Sequence, residues 1–86
     1  YDPIAMDEAS KYIKNVCFAK NIEDCINNVD LTIILTEWTK FRTLSADYLS
    51  KFMKGNIIVD FRNALNPENF KNKKFTLYQV GRGPFN

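Results

Sequence analysis

The sequence predicts an α/β fold, a mostly parallel sheet with helices on both faces. Three observations carry that expectation. Short apolar runs alternate with helix-like segments, and the intervals between runs suit crossover connections. The clearest run, Leu31 to Leu35, is apolar apart from Thr32, as in a strand covered on both sides. The 86 residues make one domain at most, and 45% hydrophobic with 14% aromatic residues is enough to build a core.

Tyr1-Asp2-Pro3 reads as a strand end and turn, with Asp2 as a cap and Pro3 tolerated in a first helical turn. Residues 4–14 follow as a helix, with Ala5, Ala9, Tyr12 and Ile13 on one face and Asp7, Glu8, Lys11 and Lys14 on the other. Val16 to Ala19 is a short apolar run and an expected strand. Asn21 caps a helix over 22–28, with Asp24 in the capping-box position and Ile22, Cys25, Ile26 and Val29 inward. The strand 31–35 comes next. Ser45 caps a helix over 46–53 on which Leu49, Phe52 and Met53 share a face, and Gly55 is expected to end it in the left-handed conformation. A third strand covers 56–60. Asn66-Pro67-Glu68 opens a short helix through Phe70, and the last strand covers 76–80. Gly81, Arg82, Gly83 and Pro84 break it.

Composition removes several classes of function. With 12 basic and 10 acidic residues the net charge is +2, too balanced to mark a nucleic-acid or anionic-membrane surface. Lys71, Lys73 and Lys74 read as a solvated loop. No run approaches the roughly 18 to 20 apolar residues that span a bilayer. Cys17 and Cys25, with no histidine in the chain, make no zinc site. Both are expected to be reduced packing residues, which favours a cytoplasmic protein. The absence of histidine also excludes triads and imidazole acid–base chemistry within this chain. The only glycines, Gly55, Gly81 and Gly83, form no phosphate-cradling loop.

In open α/β sheets, ligands bind outside the carboxyl ends of the strands. Three polar clusters fall there: Thr36, Glu37 and Trp38 after the strand 31–35; Asp60, Phe61, Arg62 and Asn63 after 56–60; Gly81 and Arg82 after 76–80. Each has a structural alternative. Glu37 could cap the next turn, Trp38 could be core, Arg62 could pair with Asp60 or Glu37, and Arg82 could be a solvated charge. The functional reading is that Arg62 offers a fork of donors to a phosphate or a sugar hydroxyl, with Thr36 and Asn63 adding neutral hydrogen bonds.

The stretches "YDPIAM", "DLTIILTEWTKFR", "IIVDFRNALNPE" and "FTLYQVGRG", in that order, resemble the C-terminal UDP-binding domain of UDP-glucose 6-dehydrogenase and other nucleotide-sugar dehydrogenases. The resemblance covers nearly the whole chain. "TEW" followed by "FR" is its most distinctive part, and "DFRN" with "NP" beyond it is moderately so. It implies a Rossmann-like domain that closes over a UDP-sugar, in an oligomeric enzyme oxidising the sugar C6 alcohol to a carboxylate in two NAD-dependent steps. NAD and the catalytic cysteine and lysine belong to other parts of such an enzyme. Cys17 and Cys25 do not match the catalytic motif, so no catalytic residue is expected here. Arg62 matches the arginine of the family's "DGRN" motif, which reaches toward the nucleotide sugar. Thr36, Glu37 and Trp38 match the cleft-wall "TEW", and Asp60 and Asn63 flank the arginine.

There are two departures. Phe61 stands where the family usually has glycine. The chain also starts at the end of the family's second strand, so the central first strand and its "AFK" loop do not appear. The expectation is therefore a single partial domain over residues 1–86, incomplete at the N-terminus, with an exposed sheet edge. A non-enzymatic α/β interaction or assembly module is the alternative reading.

Overall fold

The computed structural model describes all residues except 3, 72, 82, 83 and 86, and the backbone alone of residues 84 and 85. The described elements are α1 (Met6–Ala9), α2 (Ile22–Ile26), β1 (Leu31–Ile34), a 3₁₀ helix (Thr39–Thr43), α3 (Ala46–Ser50), β2 (Ile57–Asp60), a second 3₁₀ helix (Pro67–Phe70), β3 (Thr76–Gln79) and β4 (Pro84–Phe85). The strands form one sheet in the order β1-β2-β3-β4. The first three are parallel and β4 is antiparallel to β3, with Tyr78 opposite Pro84. Where a plain break was expected after residue 80, Gly81 takes a φ of 74° and the chain turns back to pair. Proline is tolerated there because it stands on an edge strand.

The α/β class and the parallel sheet hold, and three local rules hold with them. The Asn21 side chain accepts the Asp24 N–H at 2.7 Å, and Ser45 accepts the Tyr48 N–H at 3.2 Å. Asn66 accepts the Glu68 N–H at 3.1 Å, with Pro67 opening the turn behind it.

Four expectations are corrected. The helix over 4–14 contracts to α1, which buries no residue; Tyr12 and Ile13 are exposed and Asn15 turns left-handed at φ 64°. An amphipathic helix this short needs tight packing, and here Met6 and Ala9 are only half-buried, over a cavity of about 350 Å³ shared with core residues such as Ile26 and Phe41. Val16 to Ala19 forms no strand among the described residues. Cys17 and Cys25 are free but exposed, so they are not packing residues: Cys17 lies in that unpaired stretch, and Cys25 points off the buried side of α2 that carries Ile22 and Ile26. Gly55 is not left-handed. It is required because any Cβ there would run into the Asp30 backbone carbonyl, where Lys54 and Gly55 N–H groups both bond the neighbouring Val29 oxygen at 2.9 Å.

Cover of the sheet is one-sided among the described residues. Ile34, Ile58, Asp60, Leu77 and Gln79 point into the core with Ile22, Phe41, Leu49, Leu65 and Phe70, which come from the helical segments and the β2–β3 connection. The alternate positions Leu31, Ile33, Ile57 and Tyr78 are exposed, Ile33 by 50%. The apolar run 31–35 was expected to be covered on both sides, and its outward residues Leu31 and Ile33 are exposed among the described residues. β1 is the sheet's terminal strand, as an exposed edge requires.

Candidate functional site

The strand register fixes the rim. Ile34, Asp60 and Gln79 are Cα partners across β1, β2 and β3, so the three parallel strands end level and their following loops leave from one side. That brings Thr36–Trp38, Phe61–Asn63 and Val80–Gly81 to a common edge. Arg82 lies outside the described residues.

Asp60 is fully buried. Its carboxylate accepts three hydrogen bonds, from Arg62 N–H at 3.1 Å, Leu65 N–H at 2.8 Å and Gln79 Nε2 at 2.9 Å. Those donors offset the desolvation of the charge. The carboxylate is thus committed to shaping the loop that follows β2.

Arg62 projects from that loop and is exposed. Its backbone is held by Asp60, while its guanidinium has no ion pair among the described residues. The rim salt bridge to Asp60 or Glu37, weighed as an alternative for Arg62, is not formed. Glu37 instead meets Arg42 Nη2 at 2.7 Å. Arg42 belongs to the distinctive stretch in which "TEW" is followed by "FR", but its pairing with Glu37 was not anticipated, because the 3₁₀ helix over Thr39–Thr43 that turns it back was not expected.

Asn63 takes a φ of 52°, a conformation asparagine tolerates better than most residues. Its Nδ2 donates to the Val80 carbonyl at 3.3 Å, while its Oδ1 is buried with no hydrogen-bond partner. Trp38 is half-buried against the core and its Nε1 is likewise buried without a partner. Buried polar groups are rarely left unpaired, so two orphans in the loops after β1 and β2 call for an explanation. Thr36 is half-buried at the start of its loop. Phe61 has no positive φ, and its side chain is 52% exposed. The position therefore accommodates a side chain without left-handed strain.

Gln79 escaped the sequence reading. It is buried, and its Nε2 donates both to Asp60 and to the Leu65 carbonyl at 2.8 Å. A signal existed: Gln79 shares the inward parity of Leu77, as Asp60 shares that of Ile58, and polar residues at core parity on adjacent strands are expected to meet. Lys71, Lys73 and Lys74 are exposed, with Lys73 only 3.6 Å from Asp47.

An open, mostly parallel sheet whose strand-end loops carry an arginine fork without an ion pair and two orphaned polar atoms among the described residues presents a candidate ligand site on an α/β domain. Residues 1–67 match the UDP-glucose/GDP-mannose dehydrogenase family, UDP binding domain. The chain belongs to this family. It is 36% identical over 83 residues to a UDP-glucose 6-dehydrogenase of Rickettsia conorii, covering 94% of this chain and 19% of that protein. A UDP-glucose 6-dehydrogenase of Rhizobium meliloti is 33% identical over 82 residues, 95% of this chain and 19% of its own length. A UDP-N-acetyl-D-mannosamine dehydrogenase of Methanococcus aeolicus is 31% identical over 86 residues, 96% of this chain and 18% of its own. The chain thus spans about a fifth of the length of the curated relatives it matches.

Proposed function

We propose that this chain is the UDP-sugar-binding domain of an NAD-dependent nucleotide-sugar dehydrogenase of the UDP-glucose to UDP-glucuronate type. It contributes substrate binding and cleft closure rather than the chemical step. The observation that carries the reading is the Arg62 guanidinium, exposed at the strand-end rim with no ion pair among the described residues. Such a fork matches the paired oxygens of a diphosphate or the hydroxyls of a sugar. Asn63 Oδ1 and Trp38 Nε1 supply an acceptor and a donor that lack partners among the described residues. Thr36 adds a hydroxyl, Glu37 is braced by Arg42 in the cleft wall, and Asp60 fixes the arginine loop from beneath.

NAD supplies the hydride acceptor for such an oxidation. The three glycines of this chain do not form a phosphate-cradling turn, so NAD is assigned mainly to the other domains of the parent enzyme. Those domains, and a second copy in a homo-oligomer, are the expected partners, in the cytoplasm. No helix among the described residues is long and apolar enough to cross a membrane.

The test is calorimetric titration of the full-length polypeptide with UDP-glucose. Arg62→Ala is expected to weaken binding about tenfold or more, given roughly 1.5–3 kcal/mol for hydrogen bonds to charged groups. Unchanged affinity removes Arg62 from the site. The open face around Ile33 and the free edge of β1 favour a second reading, an assembly module. Self-association without any nucleotide binding would select it.

A further inference from the structure

We infer that Gln79, the last residue of β3, is a positioning residue for Arg62, acting through a buried clamp on the loop 61–65. The inference rests on the reading of Arg62 as a substrate-binding group. Gln79 lies beyond the residues 1–67 that match the family, so that match assigns it no role.

The loop that carries Arg62 is held mainly from the β3 side. Gln79 uses its two Nε2 hydrogens on two different parts of that loop's frame: the Asp60 carboxylate at 2.9 Å, where the loop leaves β2, and the Leu65 carbonyl at 2.8 Å, where it ends. Asp60 closes the figure by accepting from Leu65 N–H at 2.8 Å and from Arg62 N–H at 3.1 Å. Gln79, Asp60 and Leu65 are all buried, so these bonds do not compete with water. One residue on, Val80 takes the Asn63 amide at 3.3 Å, a second tie from the same strand end. On the β1 side, one backbone bond reaches the loop, Phe61 N–H to the Ile34 carbonyl at 3.0 Å. Glu37, which could have reached across, is occupied by Arg42 within its own segment.

The chemistry at position 79 is specific. The group must donate twice, and it must be neutral, because a second carboxylate would repel Asp60 and a cation would add another buried charge. An amide satisfies both conditions. Methionine matches the length and volume of glutamine while removing both donors. Without them, Leu65 O loses its partner and Asp60 Oδ2 loses one of two, and the loop is free to shift. Because the Arg62 backbone N–H is held by Asp60 and its guanidinium has no ion pair among the described residues, a shift of the loop moves the guanidinium with it.

The experiment is a double-mutant cycle in the full-length polypeptide: Gln79→Met, Arg62→Ala and the pair, titrated with UDP-glucose by calorimetry. Thermal midpoints are recorded alongside. Gln79→Met is expected to weaken binding at least fivefold. In its background, Arg62→Ala is expected to cost less than half, on a logarithmic scale, of what it costs in the native sequence. Unchanged affinity in Gln79→Met, or strictly additive losses, overturns the inference, since a general loss of stability would not depend on Arg62. Amide hydrogen exchange decides the clamp without any ligand. Faster exchange at Arg62 and Leu65 in Gln79→Met, with Ile58 and Leu77 unchanged, supports it, and unchanged exchange at Arg62 and Leu65 overturns it. If Arg62→Ala alone has no effect, the binding role of Arg62 fails and the exchange result still decides the clamp. Should Gln79→Met not fold, Gln79→Asn, which stays neutral but draws the amide back by one methylene so that it cannot reach both acceptors, is read by the same measurements.

Discussion

A carboxylate shut away from water is tolerated at Asp60 because three donors meet it. Removing it strands all three. Asp60→Ala is therefore expected to destabilise the fold by about 3 kcal/mol, the scale of several buried groups losing partners. A urea midpoint within error of the native protein would contradict that account. Asp2 shows the opposite setting, an exposed carboxylate. Its Oδ1 accepts from Ala5 and Ile4 N–H, each at 2.9 Å, and these bonds, Ala5 first, hold its pKa below the ordinary aspartate value. A depressed folded-state pKa adds stability above the unfolded value, lost as pH falls through the folded one. Asp2 was expected to cap a helix, but Ala5 is the N-cap of α1, so these are turn bonds ahead of it. Carboxyl-carbon NMR titration should place the Asp2 midpoint below that of an unstructured aspartate; a midpoint at or above it counts against those two bonds. Both residues were marked in the sequence, Asp2 by its place before Pro3 and Asp60 by its strand end. Gly55 was misread, because the requirement there is contact with the distant Asp30 backbone and no local rule contains it.

Among the elements, the caps were legible and the lengths were not. Asn21 and Ser45, read as caps, each accept a backbone N–H three residues on, and Asn66, read as opening a turn, accepts the Glu68 N–H, because such bonds are decided within three residues. Ser45→Ala should cost about 1 kcal/mol, read as a lower thermal midpoint, whereas Ser45→Asp should leave stability nearly intact. Equal losses in both variants would mean that Ser45 matters for something other than capping. Helix length depends on what lies opposite. α2 keeps five residues because Ile22 and Ile26 are buried, while α1 keeps four and buries none. Val16 to Ala19 shows the same dependence for strands. Its sequence is suitable, but a strand exists only beside another.

At the scale of the whole molecule, the sheet presents two different faces. The face of Ile58 and Leu77 is sealed, while that of Leu31, Ile33, Ile57 and Tyr78 is open. The apolar run 31–35 did signal a strand to be covered on both sides, and the second cover is not found among the described residues. An apolar face of this kind promotes association in water. The 86-residue chain is expected to bind a hydrophobic dye and to scatter more light as its concentration rises, and Ile33→Lys, checked for folding by its circular dichroism, should reduce both. No change on placing a charge there would mean the face is not the sticky surface. The rim was the most legible feature at this scale, since strand ends and their polar clusters can be read in order. The pairing of Glu37 with Arg42 and the clamp beneath Arg62 could not be, because each depends on a turn or a register that sequence order does not reveal.

Trp38 is the only tryptophan in the chain, and its indole is half-buried in the loop where β1 ends. This chain therefore carries one tryptophan fluorophore, and it stands at the strand-end rim. Light emitted at tryptophan wavelengths by this chain comes from that one spot, so any change in the surroundings of the rim can be followed optically, in real time and without a label.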